Sequence, residues 1–528
     1  MISRLIKPNL ATKIKSIGIS LVCILSVLSF SASAIEVVEL NLPSSNKVVI
    51  KLMFKNGSIS DPEGKKGLTH ATAQMIMGSG TEGMSYSDIQ DKTFPMASSY
   101  SVSVDKEVAT FTFSVHQDFL ADFYPIVKGL VLNPSFDPKD FKRLNDGQQN
   151  FVEQTIRASS DEEYSKKGLE NLLFRNTNYA HLIQGTAESV KSISLKDIQQ
   201  HYKTAFTQNN LTIGIAGNYS QEFLAQLKKD MATLSSSIAP SVKAGKAIVP
   251  DGINVEIISK KGAFGSAIFT GYPLSITRAD DEFAALMIAN SWLGEHRKSY
   301  SRLYQKIREQ RSMNYGDYSY IEWYQNGGRN QLPPSGVPRS SNYMSMWIRP
   351  VQIAKQLKQQ YEELKDIKIG HAHFALRMVV RELDLLIKNG LNKEDFDATK
   401  TFLKSYTKLY AQTPNARLGY LMDSKFYGRD DYLAELDGLL DKVTLEDVNK
   451  AIKKHFQVNN MFVTIITDES EAAPLKESLL ANAVSPMSYS NSLKSGLDKS
   501  ILEEDDAVAS YKLNVKSVEI IDSKDTFK

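Results

Sequence analysis

Cysteine is all but absent from this chain. The only one, Cys23, lies near the start, within positions 1–34, so the remainder has no disulfide, no thiol nucleophile and no cysteine-ligated metal. Long apolar runs are missing too: positions 17–30 are too few to span a bilayer, and nothing later is apolar enough to do so. A surplus of one charge is lacking as well. The formal charge is +3, but Arg4, Lys7, Lys13 and Lys15 stand within positions 1–34 with no acid beside them, and removing them leaves −1. A near-neutral surface gives no electrostatic footing for nucleic acid or an anionic membrane.

Positions 1–34 read as a signal peptide. A basic leader precedes the short apolar run, and Ala32-Ser33-Ala34 supplies a small-x-small cleavage site. Ser20-Leu21-Val22 before Cys23 is a poor lipoprotein signal. The expectation is an exported, periplasmic protein cleaved after Ala34, with no stable membrane anchor. The chain from Ile35 onward is ample for a core that needs no cross-links.

The chain repeats itself. SLKDIQQHYKTAFTQNNLTIGIAGN begins at Ser194 and TLEDVNKAIKKHFQVNNMFVTIITD at Thr444, so Asp197 aligns with Asp447, and Asn209-Asn210 with Asn459-Asn460, at a constant offset of 250. Both copies open on a Ser/Thr cap with an acid three positions on, and close on a turn and a β-rich strand. So long an offset means two similar domains and not a solenoid. Residues 47–54, 108–115, 316–324 and 343–348 read as strands; residues 119–132, 281–293, 354–364 and 375–388 carry helical periodicity. Grouped strands beside grouped helices predict an α+β fold of two homologous α/β-sandwich domains, at 35–233 and 251–468. Residues 234–250, rich in Ser, Ala, Lys and Pro, read as the linker. In the tail, 469–528, the acidic run 503–506 reads as solvated surface and residues 515–521 as an edge strand.

His70-Ala71-Thr72-Ala73-Gln74, within GLTHATAQMIMGSGT, carries the functional signal. In H-x-x-E-H, two histidines four apart on one helical face hold zinc, and the glutamate works on the metal-bound water. Here the first histidine stands, Ala73 replaces the base and Gln74 the second ligand. Together with HLIQGTAESVKSISLKDIQQHY, SYSRLYQKIREQRSMNYGDYSY and the tail AVSPMSYSNSLKSGLDKSILEEDDAVASYKLN, this motif makes the chain resemble the pitrilysin/insulinase family of zinc peptidases, the inverzincins. The likeness is to two-domain members such as processing-peptidase subunits, and it implies that the two halves form one side of a clam-shell.

The resemblance assigns the third zinc ligand to Glu153, with Asp146 at a further acidic position, and a substrate-holding arginine and tyrosine to Arg308 and Tyr315. A catalytic zinc wants three protein ligands and an open water position, and glutamine is a weak, neutral donor. Loss of the base alone costs about 10²–10⁴ in rate. No catalytic residue and no metal are therefore expected here: His70, Gln74 and Glu153 are vestigial, and zinc belongs to a partner. Guanidinium and phenol donors suit peptide carbonyls and need no metal.

The remaining motifs are weaker. His371 and His373, two apart, point in different directions on a helix and read as surface. His116, His181, His201, His296 and His455 form no ligand spacing. GSGTEG lacks the G-K-[ST] of a phosphate loop. Residues 325–341, rich in Gly and Pro, read as a flexible hairpin tip, or as a lid or partner-contact loop. The expected function is a non-catalytic, peptide-binding subunit of an exported heterodimeric zinc metallopeptidase, beside a zinc-competent homologous subunit. The alternatives are a peptidase active alone through an atypical zinc site, or a pure scaffold.

Overall fold

A computed structural model describes residues 35–322 and 339–528. The leader, and all of the 325–341 loop except its last three residues, lie outside the described residues.

The described chain is α+β, as the grouping of strands and helices predicts. The first sheet has five strands: β1 (Glu36–Asn41), β2 (Lys47–Phe54), β3 (Ser99–Val104), β4 (Ala109–His116) and β5 (Leu211–Gly217), in the order β1-β5-β2-β4-β3. The second holds β6 (Ile253–Ser259), β7 (Ser266–Leu274), β8 (Asp317–Tyr320), β9 (Asn342–Val351), β10 (Met461–Thr467) and β11 (Val515–Asp522), in the order β11-β6-β10-β7-β9-β8. Apart from β11, the second order is the first renumbered. The pairing sense repeats too: β1–β5 and β6–β10 are parallel, and the other repeated pairs antiparallel.

The sequence repeat builds the same structure twice. Ser194 caps the helix Leu195–Ala205: its hydroxyl accepts from Asp197 N at 3.2 Å, and the Asp197 carboxylate accepts from Ser194 N at 2.8 Å. Thr444 and Asp447 repeat the box at Leu445–His455, with 3.2 and 2.9 Å. Each helix leads to a central strand, β5 or β10, buried along its whole length. LTIGIAG and MFVTIIT are apolar on both faces because both faces are covered.

What covers them crosses between the halves. The helix Asp161–Leu173 precedes the linker in sequence yet packs on β7 and β10 of the second sheet. Its Leu169, Leu172 and Leu173 sit in one cluster with Phe269, Trp347 and Phe462. The helix Pro414–Phe426 returns the exchange, setting Leu418 and Met422 against Val38, Val49, Met53 and Ala216 on the first sheet. Each such buried side chain contributes about 1.5–3 kcal/mol. Buried charges join the same seam: Lys106 to Glu170 at 3.2 Å, and Arg339 to Asp105 at 3.0 Å and to Glu170 at 3.3 Å. The tail adds β11, parallel to β6, where an edge strand is predicted.

Candidate functional site

His70 stands in the first turn of the helix Leu68–Gly78. Gly67 at its N-terminus has no side chain to cap it and a φ of 92°. The cap comes instead from Asp61, whose carboxylate accepts from Gly67 N at 2.6 Å and from Thr69 N at 2.7 Å. A carboxylate there also suits the positive end of the helix dipole. Burial pushes the His70 imidazole down to about 4, against the opposing pull of Asp61, so it is neutral at physiological pH. Ala73 is fully buried in the core of the first half, which leaves a methyl group where a base would stand. Gln74, one turn beyond His70, is half-buried.

Glu153 occupies a π-helical turn, Phe151–Thr155, that directly follows the helix Pro138–Asn150. That helix lies beside the His70 helix, with Gln148 Nε2 donating to Gly67 O at 3.1 Å. The Glu153 carboxylate is already engaged. Lys191 Nζ lies 2.8 Å away and Gln149 donates to the same oxygen; the Lys191 bond is the first cause of its lowered pKa. Asp146 is exposed and paired with Lys142. The family's zinc does not fit this donor set, which comprises one imidazole, one neutral amide and one carboxylate committed to a lysine. Among the described residues no three His, Cys, Asp or Glu side chains form a metal-binding group.

Arg308 and Tyr315 are brought together. Leu303 and Ile307 are buried ahead of Arg308, and the segment Tyr304–Glu309 is π-helical and not α-helical. Ser312 follows at φ 52° and turns the chain back. The reversal is pinned by Asn314, whose side chain donates to Asp317 Oδ1 at 2.8 Å and accepts from Gly316 N at 2.9 Å. The Arg308 guanidinium then lies 5.0 Å from the centre of the Tyr315 ring. Tyr315 is 78% exposed. Among the described residues, no hydrogen bond or ion pair joins this pair to His70 or Glu153.

Two surface assignments are overturned. His371 and His373 are buried, bonded to Ser488 O at 3.1 Å and Ser478 Oγ at 2.8 Å, because the tail packs over them. Within the acidic run, Glu504 and Asp505 are not solvated: Arg311 reaches both, at 2.8 and 2.7 Å. Neither contact is visible in local sequence, since the partners stand far apart along the chain.

The chain is similar to known proteins along most of its length. The profile described as "Insulinase (Peptidase family M16)" matches residues 36–187, and "Peptidase M16 inactive domain" matches residues 192–403. The chain is 21% identical over 425 residues to a Helicobacter pylori protein described as "Non-peptidase homolog YmxG", covering 80% of this chain and 89% of the relative. It is 20% identical over 427 residues to a Bacillus subtilis "Uncharacterized zinc protease YmxG", covering 80% and 94%. The solved M16 inactive domain of Pseudomonas fluorescens superposes with a TM-score of 0.69 at 18% identity, over 83% of this chain and 96% of that one. That likeness is one of fold.

Proposed function

This chain belongs to the insulinase family of peptidases, and from that premise we propose that it is the non-catalytic, peptide-binding subunit of an exported heterodimeric zinc metallopeptidase. Its own chemistry is grip without cleavage. The observation that carries the reading is the Arg308–Tyr315 pair, a guanidinium stacked on an exposed phenol ring, with no acid among the described residues to neutralise it. Stacking holds the guanidinium plane still, so less freedom is lost when its N–H groups donate to a peptide carbonyl. The phenol offers a second donor nearby. The pair would position the backbone of an extended peptide while a zinc-competent homologous subunit cuts it.

The degenerate half supports the same reading. Without a base at Ala73, and with Glu153 tied to Lys191, the degenerate motif offers no free carboxylate to activate water. The relative described as a non-peptidase homologue is in keeping with that. Signal-peptide composition points to the periplasm.

The test is co-expression with a zinc-competent homologue, with Arg308→Ala and Tyr315→Ala introduced into this chain. Loss of charge-assisted hydrogen bonds lowers kcat/KM of the mixed complex about 10–100-fold. Unchanged activity rejects the reading, and a lone chain whose peptidase activity a chelator abolishes replaces it with the autonomous-enzyme alternative.

A further inference from the structure

Arg308 shares its turn with a buried cation that is bonded on all three of its guanidinium nitrogens. Arg311, with no exposed side-chain surface, donates from Nε to Asp505 Oδ1 at 2.7 Å and from Nη2 to Glu504 Oε2 at 2.8 Å. Its Nη1 donates to the backbone carbonyl of Lys306 at 2.7 Å. Glu504 also accepts from Lys306 Nζ, 2.9 Å to each oxygen, and Tyr489 donates to Asp505 at 2.7 Å. The tail helix Lys499–Ala509 thus reaches through one guanidinium to the main chain of the π-turn on which Arg308 stands.

The charge balance explains why the tail has to be there. Lys306 and Arg311 are both buried, and the tail supplies the acids that answer them. A buried cation stripped of its partner costs about 3–5 kcal/mol, and the readiest relief is for Arg311 to swing to solvent. That movement unties the Lys306 carbonyl. The same acids are fully occupied by Lys306, Arg311 and Arg381, so Arg308, one turn away, keeps its donors for something else. Its stacking on Tyr315 needs the turn to hold its width: Gln310 N bonds Gln305 O at 3.0 Å and Ser312 N bonds Arg308 O at 2.9 Å.

We propose that Arg311, clamped by Glu504 and Asp505 of the tail, is the positioning residue for the peptide-gripping pair, so that docking of the carboxy-terminal helix sets whether Arg308 and Tyr315 hold a peptide. This rests on the reading of that pair given above. The tail takes no part in contacting the peptide. It determines the geometry of the group that does.

A double-mutant cycle tests the proposal on the full chain, with fluorescein-labelled β-casein as the unfolded probe, binding followed by anisotropy and local order by amide exchange. Arg308→Ala weakens binding about tenfold. Glu504→Gln weakens it about fivefold, and the double variant binds no worse than Arg308→Ala alone, the non-additivity expected of two groups acting through one contact. Exchange quickens at residues 304–316 in Glu504→Gln and stays unchanged at residues 68–78. Wild-type binding by Glu504→Gln beside weak binding by Arg308→Ala overturns the positioning role and leaves the peptide-binding reading standing, as do additive losses. Unchanged binding by Arg308→Ala overturns both. Should Glu504→Gln fail to fold, Tyr489→Phe removes one hydroxyl from Asp505; a shift in the same direction supports the proposal, and none overturns it.

Discussion

Gly168 lies against Thr464, and the corresponding helix–strand pair in the repeat is Leu418 against Gly214. The glycine has changed sides. A Cβ at Gly168, on the helix Asp161–Leu173, would stand 2.8 Å from Thr464 Cγ2 on β10. One at Gly214, on β5, would stand 3.2 Å from Leu418 Cδ1 and 2.3 Å from Met422 Sδ on the helix Pro414–Phe426. Each crossing helix approaches its sheet closely because one member of the pair is small.

That complementarity is testable by copying one half into the other. Gly168→Leu overpacks the seam and destabilises the protein by about 1–3 kcal/mol. Adding Thr464→Gly recreates the Leu418–Gly214 pairing and recovers part of the loss, helped by the fact that Thr464 Oγ1 has no hydrogen-bond partner to lose among the described residues. Urea unfolding of the two single variants and the double variant gives the coupling. Additive losses would mean that the two positions do not share one contact.

Metal binding should depend on Lys191 as much as on the missing histidine. Gln74→His places a second imidazole one helical turn from His70, yet Glu153 stays paired with Lys191. Adding Lys191→Met frees the carboxylate and tightens zinc by about 10–100-fold over Gln74→His alone, the usual worth of an outer partner. Calorimetric titration with zinc chloride checks this. Equal affinities in the two variants would show that Lys191 does not hold Glu153 back.

Acid should loosen the tail before it unfolds the rest. Burial pushes His371 down to about 4 and His373 to about 3, the latter also through Arg377. Histidines held neutral in the fold and ordinary in the unfolded chain contribute stability that is complete above about 6.5 and is lost as pH falls below it. Each costs at most about 1.4 kcal/mol per pH unit between 6.5 and its folded value. Glu504 acts lower down. Lys306 and Arg311 outweigh burial and hold Glu504 at about 2, so its contribution is present above the usual carboxylate range and is lost only as pH falls toward 2. Amide exchange of residues 469–509 at pH 7.5 and 5.5 should show the loosening, and replacing both histidines with glutamine should flatten it.

Much of this architecture is legible in sequence because it is written locally. The capping boxes at Ser194 and Thr444 and the unbroken apolar strands after them need no knowledge of the rest of the chain, and their constant offset declares the duplication. The crossing of the Asp161–Leu173 helix onto the second sheet is not legible: nothing in DEEYSKKGLENLL says which sheet will receive it. The site divides the same way. Ala73 and Gln74 can be read as losses from the motif alone. That Lys191 holds Glu153, or that Glu504 and Asp505 answer Arg311, depends on residues brought together only by folding. The i, i+2 spacing of His371 and His373 excludes a shared helical face but says nothing about what covers them. Arg308 and Tyr315 meet because a π-turn, a left-handed Ser312 and the Asn314 clamp bend the segment between them back on itself, a geometry that regular helical periodicity does not foresee.

The most direct test of the central claim is the binding of fluorescein-labelled β-casein to the isolated chain with and without chelator. A grip supplied by Arg308 and Tyr315 survives removal of every divalent ion and falls about tenfold or more when both are changed to alanine. Binding that disappears with chelator, returns with zinc and ignores the double substitution would contradict it.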